Sequence, residues 1–444
     1  MMLGSILNPI NSTIIAVALV PIGRALGAPA TQTAWLVSAL YLATALGQPV
    51  VGRLVDLFGP RRLFLLATSL VGVAGVIGAL APNLGVLIAS RVLLGFGTCA
   101  GYPSAMALLR SEAKRTGQDS PAGVLTALAV ANQTISVIGP LLGGLLIGTG
   151  GWRATFALNV PVAATAVLLG LWRLPKPAAP AEPRQRGRLT AQLDLPGMGL
   201  FAAMLISLLL FLMNLRLQNW YLLVIVALAG AAFVLRELRA TTAFIDVRVL
   251  GGNTPLLATY GRALVAYVVA YAFLYGFTQW TQEGYGLSAF HAGLVQIPMF
   301  LTAIGVSVIS GRRRSVRGKL LLGAAGQIAA CLVMLTLAGD SPVWTLVLVA
   351  LIFGLPQGLN TLALQNSVYF QADPERTASS AGLLRTFAYV GSMVASSATG
   401  ASFGHGADTA GMHHLAWIML GAGVLYLLTT VADRTLGRVA PPAP

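Results

Sequence analysis

Side chains able to hold a solute by hydrogen bonds recur inside long apolar runs of this sequence. Asn8 and Asn11 interrupt the first run, with Thr13 beside them. Tyr41 and Gln48 stand in the second, Tyr102 in the fourth, and Asn132 and Gln133 in the fifth. Later, Tyr260, Tyr267, Tyr271, Tyr275 and Gln279 follow at steps of 7, 4, 4 and 4 residues. At roughly 100° per residue those steps keep all five on one side of a helix. The stripe either lines a cavity or packs between helices with its hydroxyls bonded to backbone. Gln357 and Asn360 occupy another run, with Gln365 and Asn366 after them. Arg91, Arg262 and Arg385 also fall within runs. Polar groups in hydrocarbon are costly, so each marks a solute path or an internal polar contact. Arg262, near a run's end, is expected to snorkel. Arg91 and Arg385 lie deeper and need partners.

The chemistry on offer is recognition, not bond breaking. None of the 13 acids lies deep inside a run. Glu283, near the end of one run, and His291, near the start of the next, are best placed to change charge. Three of the four histidines, His405, His413 and His414, belong to one loop and its edge. There are no paired acids for catalysis and no phosphate-binding loop for ATP. Cys99 and Cys331 sit inside runs, which argues against a disulfide, and no metal-ligand spacing occurs. The sequence therefore predicts no enzyme, no metal and no cofactor.

The elements carrying these residues must be transmembrane helices. The chain is 56% hydrophobic and 9% charged, with 50 glycines; a soluble domain carries about 25% charged residues. Mean hydropathy is +0.79. A helix needs about 20 apolar residues to span the bilayer. Fourteen segments qualify: 3–23, 32–52, 62–81, 84–109, 122–148, 155–174, 195–215, 219–236, 254–282, 288–310, 319–338, 342–369, 377–403 and 412–432. Their length and continuity exclude the short alternating strands of a barrel. Segment 3–23 lacks a basic lead, so it reads as a span rather than a cleaved signal, with a short or truncated start.

Charge sets orientation. With the N-terminus inside, 22 of the 28 basic residues fall in inside loops, and only Arg24, Arg153 and Arg216 in outside ones. This is the positive-inside pattern. It predicts a multi-pass protein of the plasma (cell inner) membrane with both termini cytoplasmic. It also accounts for the net charge of +15 through anionic lipid at the cytoplasmic face, without nucleic acid. The other expected partner is a small-molecule substrate, and the chain is expected to act as a monomer.

Two landmarks repeat. Gly52-Arg53 leads to Gly59, and Gly311-Arg312 leads to Gly318, each seven residues on. "FGTCAG" in span 4 answers "FGLPQG" in span 12, and the distances from first glycine to FG glycine are 45 and 43 residues. Two related six-span halves follow, with spans 7 and 8 inserted between them. The boundaries are 1–175 for the first bundle, 176–193 for a Pro/Ala/Arg-rich cytoplasmic linker, 194–253 for the inserted spans, 254–436 for the second bundle and 437–444 for a tail.

A two-fold repeat of six spans resembles the major facilitator transporters. "GRLVDLFGPRR" is similar to that superfamily's loop between spans 2 and 3, with Gly52, Asp56, Gly59 and Arg62 on its pattern and Arg53 and Arg61 beside them. "ASRVLLGFGTCAG" resembles the span 4 motif, whose arginine falls on Arg91. "VIGPLLGGLL" resembles the antiporter signature, with Gly139, Pro140, Gly143 and Gly144 matching, although Ile135 or Ser136 stands where an earlier glycine is usual. "GWRATFALNVP" resembles the opening of span 6 in fourteen-span drug:proton antiporters of the EmrB/QacA type; "STIIAVALVP" and "GLSAFHAGLVQIP" are similar to their spans 1 and 10.

The resemblance implies an all-α integral membrane protein with the major facilitator fold: two six-helix halves in pseudo-two-fold relation plus two extra helices. It implies proton-linked efflux by alternating access, a cytoplasmic latch in the 52–62 loop, coupling through Arg91 and a substrate cavity between the halves. One departure stands out. That family often carries Asp in span 1, where "INSTII" has Asn11, which does not titrate. A facilitator or exporter of a metabolite that needs no protons is the alternative, and a non-transporting receptor on this fold is a further one.

An acid adds nothing to positive-inside bias, so Asp56 is read as part of the latch. Asp56→Asn is expected to slow transport at near-normal expression and to raise cysteine accessibility from the cytoplasmic side. Unchanged flux and accessibility would reduce the loop to a topology anchor.

Overall fold

The computed structural model describes residues 2–101, 104, 122–174, 194–240, 245, 247–250, 252–311, 315–372, 377–404 and 406–438. Among them the chain is helical throughout. The first helices are α1 (Met2–Leu26), α2 (Ala30–Phe58), α3 (Pro60–Ala79), α4 (Leu84–Thr98), α5 (Ala122–Ala157) and α6 (Asn159–Arg173). An apolar pair follows, α7 (Leu195–Met213) and α8 (Trp220–Arg239). Then come α9 (Thr254–Glu283), α10 (Ala289–Gly311), α11 (Val316–Met334), α12 (Val343–Gln371), α13 (Thr377–Phe403) and α14 (Thr409–Ala432).

Nine helices among the described residues are long and apolar enough to cross a membrane, ten if one bent pair counts as a span. α2 and α13 fall outside that set. Serine and threonine replace aliphatic residues along them, and those hydroxyls are buried at Thr33, Ser38, Thr44, Ser392, Ser396, Ser397 and Thr399. A helix enclosed by other helices has no need of an apolar face all round, and each hydroxyl can bond a carbonyl one turn back: Thr44 to Leu40 O at 2.7 Å, Thr399 to Ala395 O at 2.8 Å.

Local chemistry sets several helix ends. Asn83, Asn253, Ser315 and Asp408 cap their helices by accepting from the backbone N–H three residues on. Gly59 adopts φ 87° between α2 and α3, and Pro60 opens α3. The break expected between residues 148 and 155 is sharper and later. Gly151 takes φ 70° inside α5, and the helix ending at Ala157 meets α6 at a 46° bend.

By packing, the chain divides into two compact units that do not follow chain order. One comprises Met1–Ser12, Ala39–Gly139 and Thr149–Asp246; the other comprises Thr13–Ser38, Pro140–Gly148 and Val247–Pro444. The first unit's core is Leu7, Leu40, Val71, Ala74, Leu94 and Ala163. Glycine lets α4 close on its neighbours: a Cβ at Gly95 would stand 2.7 Å from Leu40 O, and one at Gly97 2.9 Å from Ala67 O. In the second unit, Gly354 and Gly358 admit α10 in the same way, with Met299 O and Ala303 O each 2.5 Å from the missing Cβ. Both FG motifs are thus close-packing surfaces. α7 and α8 pack on each other through Phe201 and Phe233, 5.3 Å apart. Their other faces expose leucine, isoleucine and tryptophan, as lipid contact requires.

Arg262 does not snorkel. It is buried, donating to Asp433 at 2.7 Å, to Thr259 at 3.0 Å and to Thr429 O at 3.4 Å. The ion pair ties the start of α9 to the end of α14. Burial alone would raise the Asp433 carboxyl, but bonds from Thr435 and Arg262 hold it below the ordinary carboxylate range. A depressed pKa stabilises the fold above the unfolded value, and that contribution is lost as pH falls through the folded one. Removing one partner of a buried pair costs about 3–5 kcal/mol, whereas an apolar replacement of both is close to neutral. Arg262→Met is therefore expected to lower the melting temperature in detergent at neutral pH, with the deficit shrinking in acid. Arg262→Met combined with Asp433→Leu should recover most of the loss.

Candidate functional site

In the first unit α1, α4 and α6 converge on a polar cluster. Asn11 and Asn159 exchange amide hydrogen bonds: Asn11 Nδ2 donates to Asn159 Oδ1 at 2.6 Å, and Asn159 Nδ2 returns to Asn11 Oδ1 at 3.0 Å. Each also donates within its own helix, to Leu7 O at 2.8 Å and Phe156 O at 3.2 Å. Both terminal nitrogens of Arg91, which is 1% exposed, lie 3.5 Å from Asn11 O. One turn away Asn8 donates to Thr98 at 3.1 Å and accepts from Ser12 at 3.4 Å. The space for this cluster is made by α3: Gly75 presents no Cβ where Asn159 Cβ would be 2.8 Å away. Buried amides of this kind are well satisfied, and truncating one strands the other at a cost of about 1–3 kcal/mol.

Arg91 is thus where span-level reasoning put it, buried among polar groups. Asn159 was missed as a site residue, although it stood in the quoted "GWRATFALNVP"; its signal was an amide inside an apolar run facing another amide. Tyr41 is buried and Gln48 half-buried on α2. Tyr102 lies outside the described residues. The side chains of Asn132 and Gln133 do too, as do those of Arg53 and Asp56 in the latch loop. Of that loop's described side chains, Arg61 donates to Leu171 O at 2.9 Å and Arg62 is exposed.

The second unit holds the aromatic stripe. Tyr267 and Tyr271 stack with centroids 6.0 Å apart, and Tyr271 and Tyr275 at 5.6 Å. Tyr267 and Tyr271 are half-buried and Tyr275 is buried. Tyr260 leaves this ladder: it stacks on Phe387 at 5.2 Å and donates to Ser380 O at 3.0 Å, so for this residue packing is the correct reading. Between Tyr271 and Gln279 the α-helix widens into a π-helical turn, Phe273–Phe277. π-turns cluster at functional sites. Here the turn lets Phe273 stack on Phe353 of α12 at 4.0 Å, and Leu415 of α14 fills the space left by Gly276. Beyond it Gln296 on α10 donates to Thr278 at 2.6 Å, a buried amide contact that the stripe did not reveal. Gln279 donates back to Tyr275 O at 3.2 Å.

Arg385 departs from expectation. It is exposed rather than deep, on α13 near the Tyr267 hydroxyl, on which its charge acts. A guanidinium with access to the surface escapes the desolvation that Arg91 bears. On α12, Asn360 is buried and accepts from Tyr426 at 3.1 Å, while Gln357 is half-buried. Glu283 is exposed at the end of α9 and accepts from Ala407 N at 2.7 Å. His291 is exposed on α10 and bonds Ser288 at 2.8 Å.

The antiporter-signature glycines form a seam. A Cβ at Gly144 would lie 2.5 Å from Phe290 Cα and 2.7 Å from Ala289 O, and one at Gly143 2.7 Å from Val17. In return Gly293 admits Pro140 O at 2.6 Å from its own missing Cβ. Nearby Ser396 of α13 donates to Ala34 O of α2 at 2.9 Å. The orientation expected from the charge pattern would put these contacts at the outer ends of their helices.

The Major Facilitator Superfamily model matches residues 1–396. The chain belongs to the major facilitator superfamily. It is a multi-pass membrane transporter and not an enzyme. An MFS-type transporter of Bacillus subtilis, YwoD, is 32% identical over 98% of this chain and 96% of its own. The tetracenomycin C resistance and export protein of Streptomyces glaucescens is 29% identical over 76% of this chain and 62% of its own. The methyl viologen resistance protein SmvA of Salmonella typhimurium is 27% identical over 86% and 76%. Among solved structures, the nucleoside transporter NupG shares the fold, with a TM-score of 0.64, 12% identity and coverage of 97% and 98%.

Within a transporter of this superfamily, the Gly144 seam meets backbone atoms that cannot rotate away. Gly144→Leu is expected to part α5 from α10 at a cost of about 1–3 kcal/mol. Transport should fall, and a cysteine replacing Ala34 should react faster with an impermeant reagent added outside. Equal reactivity would show that the seam is passive packing.

Proposed function

We propose that this transporter is a fourteen-span exporter of the drug:proton antiporter type, carrying small lipophilic molecules, neutral or anionic, out of the cell by alternating access. On this reading it acts as a monomer in the plasma membrane with both termini cytoplasmic. The observation that carries the charge preference is the Asn11–Asn159 amide pair beside buried Arg91. An organic cation entering such surroundings sheds water without meeting a carboxylate, which is costly. Cation–π contact with an aromatic ring returns only about 0.5–2 kcal/mol. A neutral amphipath buries apolar surface and finds amide partners, and an anion gains from arginine. The efflux direction draws support from a relative named for resistance and export.

Glu283 is the proposed coupling group. Its carboxylate accepts the Ala407 N–H, a charge-assisted bond that protonation weakens. Proton binding at the outer end of α9 would then loosen the turn before α14. The second reading, a carrier that needs no protons, rests on Asn11: the span 1 acid of the resembled family is here an amide already locked in a neutral pair. The coupling roles of Arg91, His291 and Arg385 and the latch role of the 52–62 loop belong to the first reading.

Proton-gradient-driven flux in proteoliposomes, across a panel of neutral, anionic and cationic compounds, tests both. Uphill transport should follow the gradient in wild type and vanish in Glu283→Gln while exchange persists. A mutant that still concentrates substrate excludes Glu283, and gradient-independent flux favours the second reading. One relative is named for resistance to methyl viologen, a dication, so a permanent cation such as an ethidium-type dye is the decisive probe of charge. Robust saturable export of it, independent of Glu283, would overturn the preference.

A further inference from the structure

The tyrosine stripe of α9 makes a flat wall. Tyr267, Tyr271 and Tyr275 lie with 21° and 28° between successive ring planes and centroids 6.0 and 5.6 Å apart. Those separations are in the range of offset stacking. The wall is held from behind. Tyr275 is 1% exposed. α13 closes on Tyr267 because Gly391 has no side chain: a Cβ there would stand 2.5 Å from Leu264 O and 3.1 Å from Tyr267 Cβ. Tyr267 and Tyr271 nevertheless keep accessible surface.

That surface does not belong to the lipid face. Helices of the second unit that meet lipid expose large apolar side chains, such as Leu301 on α10, Leu322 on α11, Trp344 on α12 and Trp417 on α14. α9 has no exposed residue from Arg262 to Gln282. α13 exposes no large apolar side chain among its described residues. Near the ladder its exposed residues are Ala381, Gly382 and Arg385, and the Arg385 charge acts on the Tyr267 hydroxyl. A surface of small residues and a charge, at this depth, belongs against water rather than hydrocarbon. The Tyr267 hydroxyl is itself surrounded by protein. Ring surface that is both enclosed and accessible lines an internal space.

We propose that the Tyr267–Tyr271–Tyr275 ladder is a stacking site for a planar aromatic ring system on the transported molecule, which lies against Tyr267 and Tyr271. This rests on the transport reading above and narrows the class of molecule within it. A tyrosine ring is rigid and presents a wide face at little conformational cost. An aromatic ligand meets that face in an offset or edge arrangement, with complementary quadrupoles. A puckered saturated ring of the same size touches it only through hydrogens and gains no such term. Stacking uses the face of the ring, so it does not depend on what the tyrosine hydroxyls bond.

A naphthalene carboxylate and its fully hydrogenated counterpart are the probes. They carry the same charge, and the saturated one offers at least as much apolar surface, so burial alone does not favour the planar compound. Equilibrium binding is measured on the full-length transporter in lipid nanodiscs, with the uptake of empty nanodiscs subtracted. The wild type should bind the planar compound roughly two- to tenfold more tightly, the worth of one aromatic pair. Tyr271→Leu should bring the two affinities together, and Tyr271→Phe, which keeps the ring, should hold them apart. If Tyr271→Leu fails to fold, Tyr267→Leu gives the same comparison. In the wild type the bound naphthalene should also acquire circular dichroism in its own absorption band, as an achiral ring does when fixed against a chiral wall. Equal affinities in the wild type, or a preference that survives in the leucine variants, overturn the proposal. Flux of both probes in proteoliposomes separates it from the transport reading. Ladder-dependent binding without flux upholds the site and sinks transport; flux indifferent to planarity upholds transport and sinks the site.

Discussion

Hydrocarbon offers no hydrogen-bond partner, and the rest of the structure depends on that. Backbone groups close into helices because nothing else satisfies them in lipid. Side-chain polarity then sorts the helices. α7 and α8 are apolar on their exposed faces and pack on each other. α2 and α13 hide rows of hydroxyls and bond them one turn back. Where a polar side chain is too large for such local closure, it finds a partner on another helix: Asn11 with Asn159, Arg262 with Asp433, Gln296 with Thr278.

Glycine makes those meetings possible. Without hydrophobic attraction between helices in lipid, close backbone approach must be built in. Gly75 clears room beside Asn159, Gly197 brings two acids together, and Gly144 and Gly293 seat α5 on α10. In each case a methyl group would meet backbone or a bonded side chain. The high glycine content of the sequence is thus a record of helix contacts, although composition alone does not say which helices touch.

Most of the helices were legible in the sequence because spanning length and hydropathy fix them: α9 and α10 fall almost on their expected limits. The sites were legible only by residue type. An arginine in a run announces that it needs a partner, but not where the partner is, so Arg262 hid its link to Asp433 across 171 residues. Arg385 looked like Arg91 in sequence and differs in exposure, which depends on which face of α13 is covered. The tyrosine steps put the rings on one side of a helix, and three of them stack into a ladder. Tyr260 left it because Phe387 offered a flat partner, and no spacing rule contains that. Asp194 and Glu237 stand 43 residues apart, each reading as an ordinary loop-edge charge; their convergence is a product of the α7–α8 hairpin.

The amide at position 11 changes the electrostatics of the first unit more than its single atom implies. An aspartate there would bring a negative charge to the neighbourhood of Arg91, and its protonation would switch that field on and off. Asn11 instead satisfies both ends of its amide with Asn159 and Leu7 O, so the pair is neutral at every pH and leaves the arginine as the fixed charge of the cluster. A fixed positive charge in low dielectric repels other cations and attracts electron-rich groups.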